Sequence, residues 1–189
     1  MRLHRIIVPF AIMSILVGAL ISAAGCSEDK SDEQVIADAL ARSLDGYKNH
    51  DAEALSWFAE DMDLDELSVF EVDAKEFART YLEGFDYVID DVVVEGDTAR
   101  ATVTITCKSY SSYLQTLAQE KEGLSQKGVD KPGSAAERAA MAGDAMLEAL
   151  RQTETASCSP LVIQYDKIDN TWEPAESSLH DINMTMLSN

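Results

Sequence analysis

The sequence predicts an α+β fold in which N-terminal helices pack on a curved antiparallel sheet and a helical hairpin is inserted between strands. Residues 31–84 carry apolar side chains at helical spacing behind capping residues. Residues 85–108 and 161–173 alternate apolar and polar side chains, which is the period of a half-buried strand. Between these two regions, residues 111–152 return to helical spacing.

The first helix is predicted to begin at Ser31, because Ser31 and Gln34 form a capping box and acidic residues follow in the first turn. Four apolar side chains then recur along one helical face: Ile36, Leu40, Leu44 and Tyr47. A second, shorter helix is expected after Asp51. A third is expected to begin at Asp73 and to stop at Gly84.

The clearest strand runs from Ala99 to Cys107, and its antiparallel partner precedes it across a turn at residues 95–97. Within the partner strand the apolar phase shifts at Asp90 and Asp91. One extra residue in a strand reverses the alternation, so we expect a β-bulge there that curves the sheet.

The helical stretch at residues 111–152 is interrupted at residues 128–133 and restarts at Ser134 with a further capping box. These signals predict a helical hairpin. A second strand hairpin is expected around Asp169, and a short last helix near residues 179–187 would cover an edge or face of the sheet.

The first 25 residues have the three regions of an export signal. Two arginines precede an apolar run at residues 6–21, and small residues lead to Cys26. This order resembles a bacterial lipoprotein signal, and the resemblance implies that Cys26 is acylated and becomes the new N-terminus. The alternative is an uncleaved anchor, because residues 6–24 come close to the ~20 apolar residues that cross a bilayer.

The predicted organisation is a signal peptide at residues 1–25, a polar tether at 26–31 and a single domain at 32–189 that contains the helical insertion 111–152. We expect the mature protein on the extracytoplasmic side of the cell membrane, held there by the lipid on Cys26.

The chain is strongly acidic, with 34 acidic and 15 basic residues among 189 and a formal net charge of −19. Removal of residues 1–25 leaves 34 acidic and 13 basic residues, a formal charge of −21. The electrostatic field of so negative a protein repels phosphates and anionic headgroups. We therefore predict no nucleic-acid partner and no electrostatic contribution to membrane binding.

Three cysteines occur in the chain. If Cys26 carries lipid, Cys107 and Cys158 remain as a pair in an oxidising compartment, and we predict one disulfide between them. Closing a loop of about 50 residues would stabilise the fold by ~4 kcal/mol in the chain-entropy model. The alternative is two buried free thiols.

Alternating carboxylates at Asp61, Asp63 and Asp65 have the pattern that begins a calcium-binding loop. The rest of the pattern is missing, because Glu66 stands where the sharp-turn glycine belongs and Val72 where the bidentate glutamate belongs. We therefore expect a solvated acidic loop and no metal site.

No catalytic residue and no cofactor site is predicted. His50 and His180 remain after signal removal, and neither lies in a motif that supplies a nucleophile, a general base or a zinc ligand set. Both are expected to be surface or capping residues. Cys107 and Cys158 lack the Cys-x-x-Cys spacing of redox catalysts.

Several segments in order resemble small bacterial lipoproteins of unknown function whose fold is similar to nuclear transport factor two and ketosteroid isomerase. They are residues 45–51, 85–89, 98–106 and 171–173. The resemblance covers most of residues 31–189 through pattern and order, without a chemical motif. It implies a cone of sheet and helices that holds a pocket, and the long helical insertion departs from it.

The sequence leaves enzyme activity undecided and favours a non-enzymatic binding or interaction module, whose ligand is a protein or a small molecule. The alternative is a pocket with isomerase-like catalysis, which needs carboxyls of raised pKa facing an apolar cavity and a tyrosine near the oxyanion. Tyr87, Tyr110 and Tyr113 with Asp86 or Asp90 are the candidates for that role. A third alternative is an anchored spacer without a specific ligand.

Overall fold

Helices and strands follow one another in nearly the order that the sequence predicts. The computed structural model describes residues 30–126 and 133–189, and the elements found there are α1 (Asp32–Lys48), α2 (Ala52–Asp61), the 3-10 helix η1 (Leu64–Phe70), α3 (Ala74–Tyr81), β1 (Asp86–Glu95), β2 (Thr98–Lys108), α4 (Tyr110–Gln126), α5 (Ala135–Gln152), β3 (Thr155–Ser157), β4 (Leu161–Ile168), β5 (Thr171–Pro174) and α6 (Ser178–Leu187). The fold is α+β, and the predicted class is confirmed.

The helix starts lie where the capping residues predict them. Ser31 and Ser134 are N-caps with complete capping boxes, and the Asp73 carboxylate accepts a hydrogen bond from the backbone N–H of Glu76 at 2.9 Å. After α3 the backbone turns at Gly84 with φ of +79°, a conformation that glycine adopts without steric cost.

The sheet is open and antiparallel, with the strand order β1-β2-β4-β5 and with β3 paired to the far end of β2. The pairing of β1 with β2 shifts register between Ile89 and Asp91, so the predicted bulge is confirmed. The hairpin between β4 and β5 turns at Asp169 and Asn170, both at positive φ as a two-residue turn of this kind requires.

The space between the sheet and the helices is filled by the core. The inner sheet face contributes alternate buried side chains, including Ala101, Val103, Ile105 and Ile163. Helix α1 supplies the four apolar residues predicted for its inner face, all buried, and α6 adds Ile182 and Met186 from the C-terminus. The last helix therefore closes the core against β2 and β4.

The helical hairpin lies between β2 and β3 in the chain, as predicted, and its two arms α4 and α5 pack on each other. Helix α5 also packs on α3 and on η1, a short element that the sequence analysis did not anticipate. The hairpin thus extends the helical layer of the domain.

Residues 1–25, Cys26 and most of the tether lie outside the described residues, as does most of the interruption at residues 128–133. Among the helices of residues 30–126 and 133–189, none combines the length and apolar character needed to cross a membrane.

Candidate functional site

An apolar cavity of about 300 Å³ lies among the helices, where α2, η1 and α3 meet the α4–α5 hairpin and the end of α6. All twelve side chains that line it are apolar or aromatic. Five of them carry rings: Phe58, Phe77, Tyr81, Tyr110 and Tyr113. Phe58, Phe77, Tyr81 and Tyr113 also belong to the buried core, so the cavity adjoins the core among the helices.

Ring contacts fix the walls of the cavity. Phe58 on α2 stacks on Tyr81 on α3 with ring centroids 5.6 Å apart. Phe77 on α3 meets Tyr113 on α4 edge to face at 6.1 Å, and Tyr113 contacts Tyr110 at 5.9 Å. Aromatic pairs at these separations attract one another, so the hairpin is held against α3 by its rings.

For two of the cavity tyrosines, no hydrogen-bond partner of the hydroxyl group is found among the described residues. The Tyr81 hydroxyl donates to the Met186 carbonyl oxygen at 3.0 Å, whereas no such partner is found for Tyr110 and Tyr113 within residues 30–126 and 133–189. Burial raises the pKa of Tyr113 to about 12, so its hydroxyl is protonated at neutral pH and can donate.

The residues considered for isomerase-like catalysis are not brought together. Asp86 and Asp90 are exposed on β1, where they accept hydrogen bonds from Lys48 at 2.8 Å and Thr104 at 2.7 Å. Tyr87, also on β1, packs towards α1. The two α4 tyrosines line the cavity instead, and no carboxylate is among the twelve lining side chains.

A hydrogen-bonded connection that the sequence does not predict joins α2, α6 and α1. Asp61, the last residue of α2, accepts a hydrogen bond from the Asn183 side-chain amide at 2.8 Å, and the Asn183 oxygen accepts one from the Tyr47 hydroxyl at 3.2 Å. His180 Nδ1 lies 3.1 Å from Asp61. Burial raises the pKa of Tyr47 to about 12. This connection ties the C-terminal helix to the first two helices.

His50 and the acidic loop after α2 lie at turns between helices. His50 Nε2 lies 3.2 Å from the Leu82 carbonyl oxygen, at the turn between α1 and α2. Asp63 takes a left-handed backbone conformation immediately before η1, which carries Asp65 and Glu66 in its first turn. In the part of the chain that the structure describes, no cluster of three or more metal-binding side chains is found.

Cys107 and Cys158 are both buried, and their sulfur atoms lie 3.5 Å apart. Both thiols are free in the structure. The predicted proximity of the two cysteines is thus observed, while the predicted bond between them stays a prediction, as does acylation of Cys26.

No protein-family model matches the sequence, and no curated protein matches it significantly. A solved structure that resembles this chain is that of YcdA from Bacillus subtilis, which bears the provisional name of a lipoprotein. The two proteins share 14% sequence identity, and the superposition has a TM-score of 0.50. It covers 72% of this chain and 46% of YcdA, so this chain spans less than half of its neighbour's length. The likeness concerns the fold.

Proposed function

We propose that the protein is a lipoprotein, anchored by acylated Cys26 to the outer side of the cell membrane, that binds a small and mainly apolar molecule in the helical cavity. The anchoring is supported by the order of arginines, apolar run, small residues and cysteine at the N-terminus. The provisional name of the structural neighbour agrees with it. The binding activity is a separate step, supported by the cavity.

The observation that carries the binding proposal is a cavity of about 300 Å³ whose twelve lining side chains are all apolar or aromatic. Protein ligand pockets range from about 300 to 1,000 Å³, so this volume is at the lower end. An apolar cavity of about 150 Å³ stays dry and accepts benzene. The ligand therefore has the size of two fused rings or a short aliphatic chain.

The hydroxyl groups of Tyr110 and Tyr113 are hydrogen-bond donors on residues of an otherwise apolar cavity lining. A ligand acceptor that enters an apolar site loses its hydrogen bonds to water, and either hydroxyl can replace one of them. We therefore expect an apolar molecule that carries one oxygen or similar acceptor. Apolar contacts supply most of the binding free energy, and the hydroxyl groups orient the ligand.

Binding without catalysis is favoured by the chemistry of the lining. Isomerase-like proton transfer needs a carboxyl of raised pKa within hydrogen-bond reach of the substrate. The cavity presents hydroxyl groups, thioethers and hydrocarbon in its place. We also propose that the fold is related to the nuclear-transport-factor-two-like cone. The order of elements supports this, because helices precede an antiparallel sheet that has a bulge in β1.

A protein partner that inserts an apolar side chain is the second candidate ligand. Leu114 favours it, because this cavity residue on α4 is 47% exposed and forms part of the rim. A small molecule enters the cavity completely, whereas a partner protein would also cover Leu114. Leu114→Gln distinguishes the two candidate ligands. It should weaken the binding of a partner protein as strongly as a change inside the cavity does, and it should weaken the binding of a small molecule less.

The test uses 2-naphthol, which has two fused rings and one hydroxyl group, as the probe. We expect saturable binding by NMR of methyl-labelled protein, with the largest shifts at Met146 and Leu117. In Leu117→Trp the larger ring fills the cavity, and affinity should fall at least about 10-fold. Ile168→Trp is the matched control, since Ile168 on β4 is 50% exposed and is not among the residues that line the cavity.

Circular dichroism and the melting temperature show whether both tryptophan variants are folded, and Met146→Phe provides a second way to reduce the cavity. Equal affinity in the wild type, Leu117→Trp and Met146→Phe would contradict the proposal. Absence of any binding of 2-naphthol and of decanoate to the wild type would contradict it as well.

A further inference from the structure

The sheet holds Cys107 and Cys158 next to each other. Cys107 lies near the end of β2, and its direct partner across the sheet is Ala156 on β3. Cys158 follows two residues after Ala156, so it lies on the same face of the sheet as Cys107. The backbone N–H of Cys158 donates to the Ile105 carbonyl oxygen at 2.7 Å, which fixes this end of β3.

The two sulfur atoms are buried and in contact. Cys107 is fully buried, Cys158 is 6% exposed, and the Sγ atoms are 3.5 Å apart. A disulfide has an S–S distance of about 2.05 Å, so bond formation requires an approach of roughly 1.5 Å. The backbone partners are already paired, and the approach is therefore a local adjustment of two side chains.

We propose that Cys107 and Cys158 form a disulfide that joins the two ends of the segment 108–157. This segment contains α4, α5 and β3. It also supplies five cavity residues, namely Tyr110, Tyr113, Leu114, Leu117 and Met146. The bond thus fixes the base of the hairpin that forms one wall of the cavity. The inference goes beyond the proposed function and does not depend on ligand binding.

The reaction converts two thiols into one S–S bond and releases two protons and two electrons. The electrons pass to the disulfide of an extracytoplasmic thiol–disulfide oxidoreductase, which becomes a dithiol after a mixed-disulfide intermediate. In vitro, oxidised glutathione takes that role and yields two reduced glutathione molecules. The bond forms between the sulfurs of Cys107 and Cys158, and no other atom of the protein changes its oxidation state.

Burial raises the pKa of both thiols, which keeps them protonated in the folded protein. The thiolate is the attacking species, so exchange is slow once both sulfurs are enclosed. Oxidation is therefore expected during folding, before β3 completes its pairing with β2. Once formed, the bond is protected from external reductants by the same burial.

The first test measures the thiols in the full-length protein purified from the membranes of cells that export it. The protein is denatured in the presence of iodoacetamide, with or without prior reduction, and its mass and peptides are determined. We expect no alkylation of Cys107 or Cys158 without reduction and a single linked peptide pair. Alkylation of both residues in the unreduced sample would overturn the proposal.

The second test compares melting temperatures of protein refolded with oxidised or with reduced glutathione. For the wild type we expect a melting temperature lower by roughly 10 °C after reduction, given the length of the closed loop. The variant with both Cys107→Ala and Cys158→Ala is the control and should respond to neither condition. If that variant does not fold, the peptide map decides alone. An equal response of both proteins would contradict the disulfide.

The two proposals fail separately. A linked peptide pair in a protein that does not bind 2-naphthol would contradict the ligand proposal and leave the disulfide intact. Free thiols in a protein that binds 2-naphthol would contradict the disulfide and leave the ligand proposal intact.

Discussion

Gly143 on α5 lies directly against the backbone carbonyl group of Phe70, the last residue of η1. A Cβ atom at position 143 would overlap the Phe70 oxygen and lie 2.7 Å from Cγ2 of Val72. A side chain at this point therefore separates α5 from η1. Since both elements line the cavity, this contact between two backbones sets the position of the hairpin relative to the rest of the domain.

We predict that Gly143→Ala lowers the free energy of unfolding by about 1–3 kcal/mol, because the added methyl group meets backbone atoms that cannot retreat. Alanine is the better helix former by up to about 1 kcal/mol, and the steric term exceeds this gain. Urea unfolding measures the difference. Gly123→Ala on α4 is the control, since a Cβ there meets nothing within 4 Å, and it should leave stability unchanged or raise it. A stabilised Gly143→Ala would show that α5 is not packed on η1 in this way.

Lys108 is a buried cation that closes the C-terminal end of α5. Its Nζ donates to the carbonyl oxygens of Leu150 at 2.7 Å and Thr153 at 3.3 Å, and burial lowers its pKa. We predict that Lys108→Met lowers the free energy of unfolding by about 1–3 kcal/mol, because the carbonyl groups lose their donor in a buried site. Lys75→Met, on the exposed side of α3, is the control and should change stability by less than about 0.5 kcal/mol. Equal effects in chemical denaturation would contradict the capping role.

The pH dependence of stability should reveal the ion pair between Asp32 and Lys167, whose atoms lie 2.9 Å apart. The Lys167 ammonium group, which donates to the carboxylate, lowers the pKa of Asp32 below its usual 3.8. A lowered carboxyl pKa stabilises the fold above the ordinary value and loses this effect as pH falls through the lowered value.

Asp32→Asn should therefore be less stable than the wild type at neutral pH, and the difference should shrink below about pH 4. Lys167→Met should give the same curve, and the double variant should add little to either single change. Denaturant unfolding at a series of pH values measures all three. A difference that stays constant down to pH 2 would contradict the ion pair.

Acylation at Cys26 is tested by Cys26→Ala in cells that export the protein. We expect the variant to keep residues 1–25 and to incorporate no labelled palmitate. Where another peptidase removes the signal, the variant should leave the membrane fraction. Ser27→Ala, one residue further on, is the control and should be processed normally. Unchanged processed size and unchanged membrane association of Cys26→Ala would contradict the lipoprotein proposal.

The helix starts and the bulge could be predicted because they depend on neighbours in the sequence. Ser31 and Ser134 bind backbone groups three residues away, and the shift at Asp90 is visible in the alternation of a single strand. Contacts between residues that are close in the sequence produce a residue pattern, and the element can be predicted from that pattern.

The cavity and the connection through Asp61 could not be predicted, since they depend on elements that are distant in the chain. Asp61 meets Asn183 across more than a hundred residues, whereas the sequence around Asp61 predicts only a solvated acidic loop. Tyr110 and Tyr113 did stand out in the sequence, but their role depends on Phe77, which no spacing rule connects to them. The strand β3 is three residues long, too short for its alternation to be recognised.

The most direct test of the binding proposal is a crystal structure of the protein with 6-bromo-2-naphthol, in which the bromine atom is located by its anomalous scattering. We predict one ordered bromine position among the cavity rings, with the probe oxygen within hydrogen-bond distance of Tyr110 or Tyr113. An empty cavity, or bromine bound elsewhere on the molecule while the cavity holds no probe, would contradict the account.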